Sequence, residues 1–231
     1  MSTSAMRPVR VWDLPTRLFH ALLILSFVGS FVTIKLGGLW MDWHVRFGLL
    51  ATGLIIFRLI WGVVGGYYSR FSQFPPSLRK SWEYLRQHHS RTLGHNPLGA
   101  WSVYVMLLLI GFQAFSGLFA NDDIFTAGPL AYLSPHWSKV LTGLHKSNEW
   151  LLLAIVALHI IAILAYRLFA GQKLAKSMVT GNMDWPTQSS ARDSQDGWKS
   201  RLLALVIALL IAAAIYSLTL LAPTASFDDF M

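Results

Sequence analysis

The chain has 231 residues, of which 54% are hydrophobic and only 13% charged, and this composition excludes an ordinary soluble domain because so much apolar surface needs contact with lipid. The net charge of +8 does not indicate nucleic-acid binding, since the Lys and Arg residues flank apolar runs and form no basic block interleaved with aromatic residues. The sequence contains no cysteine, which excludes disulfides, thiolate metal sites and thioether-linked cofactors, so a bound metal would depend on nitrogen or oxygen ligands.

Five apolar segments are long enough, or nearly so, to cross a membrane as helices, which requires about 20 residues. In chain order they are 18–34, 45–64, 100–120, 150–169 and 202–221. The first segment follows a long N-terminal region without a small-residue cleavage site, so we interpret it as an uncleaved span rather than a signal peptide. The sequence therefore predicts an all-α membrane protein, with a four-helix transmembrane bundle and a fifth transmembrane helix.

The basic residues predict the orientation of the chain in its membrane. The N-terminal region 1–17 and the segments 65–99 and 170–201 together hold 13 of the 19 Lys and Arg residues. The loops on the other side hold three, namely Lys35, Lys139 and Lys146. By the positive-inside rule we expect the N-terminus in the cytoplasm and, after five spans, the C-terminus in the periplasm.

The spans and the regions between them divide the chain into three predicted parts. Residues 1–170 would form a four-span core, 171–201 a cytoplasmic linker that is polar and rich in Ser and Asp over 181–197, and 202–231 the fifth helix with a short periplasmic tail. In the loop after the second span, Leu78, Trp82 and Leu85 recur at helical spacing after Pro76. This pattern is typical of a short helix on the membrane surface, although a solvated loop fits the same residues equally well.

Eight histidines are the candidates for chemistry. Four fall in predicted loops and are interpreted as ordinary surface residues: His88, His89, His95 and His136. Four fall in the spans or at their ends: His20, His44, His145 and His159. Since a polar side chain inside a bilayer is costly and usually faces the bundle interior with a partner, the second group is the candidate functional set.

The spacing of these four histidines places them at two levels. His145 and His159 are 14 residues apart, so they share a helix face and lie about 21 Å apart along the axis. His44 opens the second span near the outer surface, whereas His20 enters the first span from the cytoplasmic side. Antiparallel helices then give an upper pair, His44 with His145, and a lower pair, His20 with His159.

Two pairs of neutral imidazoles facing each other across an apolar bundle suit six-coordinate haem iron that carries electrons. A catalytic zinc site fits less well because it needs three protein ligands, and no carboxylate lies inside a span to provide the third. A proton relay would need a continuous chain of polar groups, but mainly Leu, Ile, Val and Ala fill the interval. Arg58 follows His44 by 14 residues and is expected to bind a haem propionate at the lower level, or to snorkel to the headgroups.

At this point the sequence resembles the bacterial cytochrome b561 and nickel–iron hydrogenase b-type cytochrome group. The resemblance covers roughly residues 9–170 and rests on these short motifs: Val11-Trp12-Asp13-Leu14-Pro15-Thr16-Arg17 with Phe19-His20, His44 with Arg46 and Gly48, Phe57-Arg58 with Trp61-Gly62, His95-Asn96-Pro97-Leu98-Gly99, and His145 followed by His159. It implies a four-helix core in which histidines of spans one, two and four ligate two b haems, and His20, His44, His145 and His159 occupy the matching positions.

The resemblance also implies partners. We expect membrane lipid, an exchangeable quinone or quinol, and a periplasmic c-type cytochrome or hydrogenase-like protein that exchanges electrons with the chain; a homo-oligomer is compatible with this role. The alternative is a self-contained superoxide:ubiquinone oxidoreductase. The predicted outer loops offer nearly balanced charge for steering superoxide, so the partner-dependent carrier is favoured. A haem-free structural or transport protein is the remaining alternative.

Overall fold

The computed structural model describes residues 5–86, 91–123 and 126–220. Within these residues the chain forms seven α-helices and two short strands. The helices are α1 (Leu14–Leu36), α2 (Met41–Val64), α3 (Leu78–Arg86), α4 (Pro97–Phe119), α5 (Pro135–Phe169), α6 (Leu174–Thr180) and α7 (Trp198–Leu220). The strands are β1 (Met6–Arg10) and β2 (Asn182–Pro186).

Five of these helices are long and apolar enough to cross a membrane, namely α1, α2, α4, α5 and α7. They correspond one to one to the five predicted spans. The prediction of an all-α membrane protein is therefore confirmed.

The four-helix bundle consists of α1, α2, α4 and α5. α1 packs on α2, α2 on α4, and α4 on α5. Ile55, Ile110 and Leu152 form a buried cluster at the centre, with Leu23 and Phe27 of α1 packed against it. α7 lies outside the bundle against α2 and α1, and most of its large apolar side chains are exposed, as expected for a helix that faces lipid.

Three of the spans begin at a polar capping residue close to a proline. The side chain of Asp13 accepts a hydrogen bond from the backbone N–H of Thr16 (2.8 Å), and Asn96 and Ser134 cap α4 and α5 in the same way. Proline near the first helical position fits because its missing N–H would have no intrahelical partner there. α5 consequently begins 15 residues before the predicted span, so the prediction of a loop at His136 was wrong: this exposed side chain lies in the first turn of α5.

The end of the bundle that carries the N-terminus is covered by a small folded unit, which we call the cap, made of β1, β2, α6 and residues 65–74. β1 and β2 pair antiparallel, with Met6 opposite Pro186 and Arg10 opposite Asn182. Val9 and Val11 are fully buried and pack with Trp12 and Tyr68. Residues 171–201, expected as a linker, thus contain α6, β2 and the first turn of α7 as well as extended chain.

The loop between α2 and α4 contains the surface helix suggested by its apolar spacing. α3 buries Ser81 and Tyr84 towards the protein and leaves Leu78, Trp82 and Leu85 exposed. The helical interpretation of this segment is confirmed, and a fully solvated loop is wrong for it. His88 and His89 lie outside the described residues.

Candidate functional site

The structure brings the upper pair of histidines together. His44 lies in the first turn of α2, and His145 lies ten residues after the start of α5. Their ring centroids are 6.2 Å apart and their planes are nearly perpendicular, at 88°. Both side chains are half-buried within the bundle.

Hydrogen bonds define the protonation of both rings. The Nδ1 atom of His44 lies 2.9 Å from the backbone oxygen of Ser30, and the Nδ1 atom of His145 lies 3.0 Å from the backbone oxygen of Gln113. A carbonyl oxygen only accepts, so each Nδ1 carries the proton and donates it. The Nε2 atom of each ring is then left unprotonated in the neutral imidazole, which is the form that binds a metal.

A second polar contact on His145 agrees with this assignment. The side-chain oxygen of Gln113 accepts a hydrogen bond from the Nδ2 of Asn148 (2.8 Å), so the Gln113 amide nitrogen faces the Nε2 of His145 at 3.1 Å. Asn148 is itself buried and also donates to the backbone oxygen of Leu109 (3.0 Å). Neither residue was predicted from the sequence, although Gln113 is an amide side chain within a predicted apolar span and was a usable signal.

A cavity of about 230 Å³ opens between α1, α2, α4 and α5 beside the upper pair. Small residues line it: Ser26, Ser30, Gly48, Ala114 and Gly117. A Cβ atom on Gly117 would lie 3.0 Å from the Cε1 atom of His145, whereas one on Gly48 would meet nothing within 4 Å. The small side chains therefore give the His145 ring room against α4 and leave open space beside α2.

The upper pair fits a metal with two axial imidazoles. A metal–imidazole bond is about 2 Å and a ring nitrogen lies about 1 Å from its own centroid, so two axial rings place their centroids about 6 Å apart. The observed 6.2 Å agrees with this spacing. Among the described residues no group of three or more His, Asp and Glu side chains is placed to hold a metal ion. The candidate metal ligands at this site are therefore the two histidines of the upper pair.

The lower pair is also brought to one end of the bundle. His20 lies six residues into α1, and His159 lies ten residues before the end of α5. Both side chains are half-buried. They lie on the cap side, whereas the upper pair lies towards the opposite end.

Arg58 is a buried cation on the cap side of α2. Its side chain is 3% exposed, and its guanidinium carbon lies 4.7 Å from the centroid of the Phe71 ring. Its Nη1 atom is buried and has no hydrogen-bond partner within the described part of the chain. A buried guanidinium nitrogen without an acceptor is costly, so the site fits an anion such as a carboxylate.

A comparison against known families identifies the group to which the chain belongs. The model of the family described as prokaryotic cytochrome b561 matches residues 11–181, which include all four histidines and Arg58. The chain belongs to this family. It is therefore a membrane cytochrome of the b type.

Other members of the cytochrome b561 group are similar over most of their length. The probable Ni/Fe-hydrogenase 1 B-type cytochrome subunit of Escherichia coli K12 is 25% identical over 207 residues, covering 75% of this chain and 87% of that protein. Probable Ni/Fe-hydrogenase B-type cytochrome subunits of Rhizobium leguminosarum bv. viciae and Cupriavidus necator are 23% and 22% identical, covering 75% and 78% of this chain and 87% and 88% of those proteins. No solved structure matches the chain.

The position of His95 in this cytochrome differs from the one predicted from the sequence. It was expected on the surface, but its ring packs between Phe74 (centroids 4.1 Å apart) and Trp12 (4.8 Å), and its Nδ1 is buried. Burial and the positive charge of Arg58 lower the pKa of His95 to about 3, so it is neutral near pH 7. The surface prediction was wrong because the contacts come from segments far away in the sequence.

Asp13 holds the cap side of the bundle together. Its carboxylate is fully buried and accepts hydrogen bonds from the backbone N–H of Thr16 and Gly66 and from the side chains of Trp61 and Ser69. A Cβ atom on Gly66 would lie 2.2 Å from a carboxylate oxygen of Asp13, so only glycine fits there. The donors compensate the buried charge, and Asp13 thus fixes the start of α1 against the segment that follows α2.

Proposed function

We propose that this cytochrome carries two non-covalent b haems and transfers electrons across the bacterial inner membrane, between the quinone pool and a redox partner on the periplasmic side. The observation that carries the proposal is the upper pair: two rings 6.2 Å apart, each with its Nδ1 proton donated to a backbone oxygen and its Nε2 left unprotonated. His44 and His145 would each supply one nitrogen ligand to a haem iron, and a haem held by two protein ligands would supply electron transfer rather than oxygen binding.

Each haem would supply a one-electron carrier. In this proposal His44 and His145 hold the upper haem, and His20 and His159 hold the lower one. The backbone oxygens of Ser30 and Gln113 keep the upper imidazoles in the binding tautomer, and these contacts make the ligands more basic. Arg58 would bind a propionate of the lower haem, since its buried Nη1 needs an acceptor.

Two haems at separate levels are proposed because the two histidines of α5 lie too far apart to bind one iron. His145 and His159 lie on one helix, 14 residues and hence about 21 Å apart along its axis. The bundle interior between the levels is packed with apolar side chains such as Ile55, Ile110 and Leu152. Apolar side chains predominate in this interval among the described residues, which favours electron transfer over proton transfer along this route.

The proposed orientation of the chain in the membrane follows from the distribution of its basic residues. In the proposal the cap faces the cytoplasm, because the segments that form it and flank it hold most of the Lys and Arg residues. The upper pair is then periplasmic, and the C-terminus lies on the same side. Residues 1–170 would be the haem-binding core, 171–201 the cytoplasmic connection, and 202–231 the fifth helix with its tail.

The partner is proposed from the similar proteins. They are cytochrome subunits of Ni/Fe hydrogenases, so a hydrogenase-like protein is the favoured partner, and a c-type cytochrome is the second choice. The self-contained superoxide:ubiquinone oxidoreductase is less favoured. Lys146 lines the upper cavity together with Asp122 and Glu149, and this mixed charge does not concentrate anions.

One experiment separates these functions. Purified protein is titrated anaerobically with a short-chain quinol and, separately, with superoxide while the haem absorption is recorded. The proposal expects reduction by quinol and reoxidation by an added periplasmic redox partner. Rapid reduction by superoxide followed by turnover with ubiquinone would favour the oxidoreductase, and a preparation that contains no haem would reject both functions.

A further inference from the structure

A second pocket lies at the cap-side end of α5, outside the histidine bundle. It has a volume of about 380 Å³ and forms where α5 ends and α6 begins. Its polar rim includes Arg167, Lys173 and Lys176, and its apolar wall includes Ile163, Leu164 and Leu174. One site thus combines three cations with an aliphatic surface.

The three cations are available to an external anion. All three side chains are exposed, and within the described residues none of them forms an ion pair with a carboxylate. Asp193 and Asp196 of the same end of the protein are instead paired with arginines of β1 and α7. Because the residues that line the pocket include no Asp or Glu, its net charge favours an anion over a neutral ligand.

The apolar wall continues onto the lipid-facing surface of α5. Leu164 lines the pocket and is 54% exposed, and Ile161 and Leu168 are exposed on the same helix. α5 is one of the membrane-spanning helices, so these side chains contact acyl chains. An amphiphile seated here would place its tail along α5 and its head among the cations.

The turn that carries the cations is fixed by backbone hydrogen bonds. Gly171 adopts a positive φ of 62°, and the N–H groups of Ala170 and Gln172 both donate to the backbone oxygen of Tyr166. Gln172 is almost fully buried, so the chain is anchored directly before Lys173. The backbone that carries Arg167 and Lys173 is therefore held in one conformation, which reduces the part of the entropy cost of binding that comes from ordering the turn.

We infer that this pocket binds one anionic phospholipid, with its phosphate among Arg167, Lys173 and Lys176 and an acyl chain against Ile163 and Leu164. A zwitterionic phospholipid would bring a positive group into the same cationic rim and bind less well. A neutral quinone would leave the three charges without a partner. The chemistry of the site therefore specifies an anionic head on an apolar tail.

The test is native mass spectrometry of the full chain in a neutral detergent, with phosphatidylglycerol or phosphatidylcholine added. We expect one retained phosphatidylglycerol. Each basic residue near a lipid phosphate contributes about fivefold to binding, so the double variant Lys173→Gln/Lys176→Gln should weaken phosphatidylglycerol binding about 25-fold. Phosphatidylcholine binding should change less than about twofold.

Lys80→Gln is the matched control, because Lys80 is exposed on α3 next to the same bundle end and does not line the pocket. It should leave phosphatidylglycerol binding within about twofold of the unchanged chain. Haem content and helical circular dichroism show that each variant is folded. Equal binding by the double variant and the unchanged chain would overturn the inference, as would equal affinity for both phospholipids. Glycerol 3-phosphate binding as tightly as the lipid would identify a small-anion site instead.

Discussion

Pairwise replacement of the four histidines tests the proposed haem sites most directly. His44→Ala and His145→Ala each remove one of two rings that face each other at 6.2 Å, so either change should remove or alter the same component. The haem content should fall from about two to about one per chain, or one component should become high-spin, since an open axial position remains. His20→Ala and His159→Ala should affect the other component.

The effect on the remaining haem follows from the distance between the two levels. Two unit charges about 21 Å apart interact by roughly 0.8 kcal/mol at an effective dielectric constant of 20, which is about 35 mV for one electron. Loss of the upper haem should therefore lower the midpoint potential of the lower one by no more than about 35 mV, because a nearby positive charge disappears. A much larger shift would mean that the two iron centres are closer than the helix geometry allows.

Met41 provides a specific control for His44→Ala. Met41 lines the cavity beside the upper pair and precedes His44 by three residues in α2, so its sulfur is a candidate replacement ligand. A haem retained in His44→Ala should have a raised potential and should be lost in His44→Ala/Met41→Leu. His136→Ala, at an exposed position, should keep both haems.

Pyridine haemochrome assays and potentiometric titration of the purified variants measure these outcomes. The proposed pairing requires that the two upper variants resemble each other and differ from the two lower variants. If His20→Ala grouped with His145→Ala, ligands assigned to opposite ends of the bundle would share one iron. The pairing and the two-level arrangement would then both be refuted.

Four further results are expected. Arg58→Gln should lower the midpoint potential of the lower haem and leave the upper one unchanged, since a positive charge beside the propionate disfavours the oxidised iron; potentiometric titration measures this, and a shift confined to the upper haem would contradict it. Asp13→Asn should destabilise the protein by about 2–4 kcal/mol in thermal unfolding, because an amide nitrogen would face donors now bound by a carboxylate, whereas Asp184→Asn at an exposed position should change stability little. The folded pKa of His95 is about 3, below its unfolded value near 6.5, so its contribution to stability is present above pH 6.5 and lost as the pH falls towards 3. At pH 5 the unchanged chain should have lost about 2 kcal/mol of unfolding free energy that His95→Gln does not lose. Parallel pH profiles of stability for the two proteins would exclude this role. A reporter enzyme fused after the last residue should be active in the periplasm, and activity in the cytoplasm would reject the proposed orientation.

The sequence predicted the membrane-spanning elements well because lipid imposes a simple rule on them. Each span needs a long apolar run, and the five runs match α1, α2, α4, α5 and α7. The predicted starts were too late, since Pro135 to Glu149 of α5 include polar and charged residues outside the apolar run. A capping residue and a proline at the start, such as Ser134 and Pro135, define the true beginning.

The candidate site was predictable only in part. Helical periodicity places His145 and His159 on one face without knowledge of the other helices. The contacts of Gln113 and Asn148 depend on the packing of α4 against α5, and the burial of His95 depends on Trp12 and Phe74 from other segments. Such neighbours are set by the tertiary arrangement, which a single sequence does not specify.

The strand β2 was missed for a related reason. Asn182–Pro186 has five residues, ends in proline and contains Asn and Asp, which are uncommon in strands. Its partner β1 lies more than 170 residues earlier in the chain, so no hairpin turn connects the two strands. In the structure, the fully buried Val9 and Val11 show that this end of the protein has a hydrophobic core of its own.

The pairing of β1 with β2 also determines when this part of the protein can fold during synthesis. β1 leaves the ribosome before α1, but its partner strand follows α5, so the ribbon closes only after four spans have been synthesised. Until then β1 has an unpaired edge, which Arg7, Pro8 and Arg10 make a poor template for aggregation. Formation of the ribbon is therefore a late step of assembly, and a chain interrupted after α5 would retain its spans but leave the first strand without its partner.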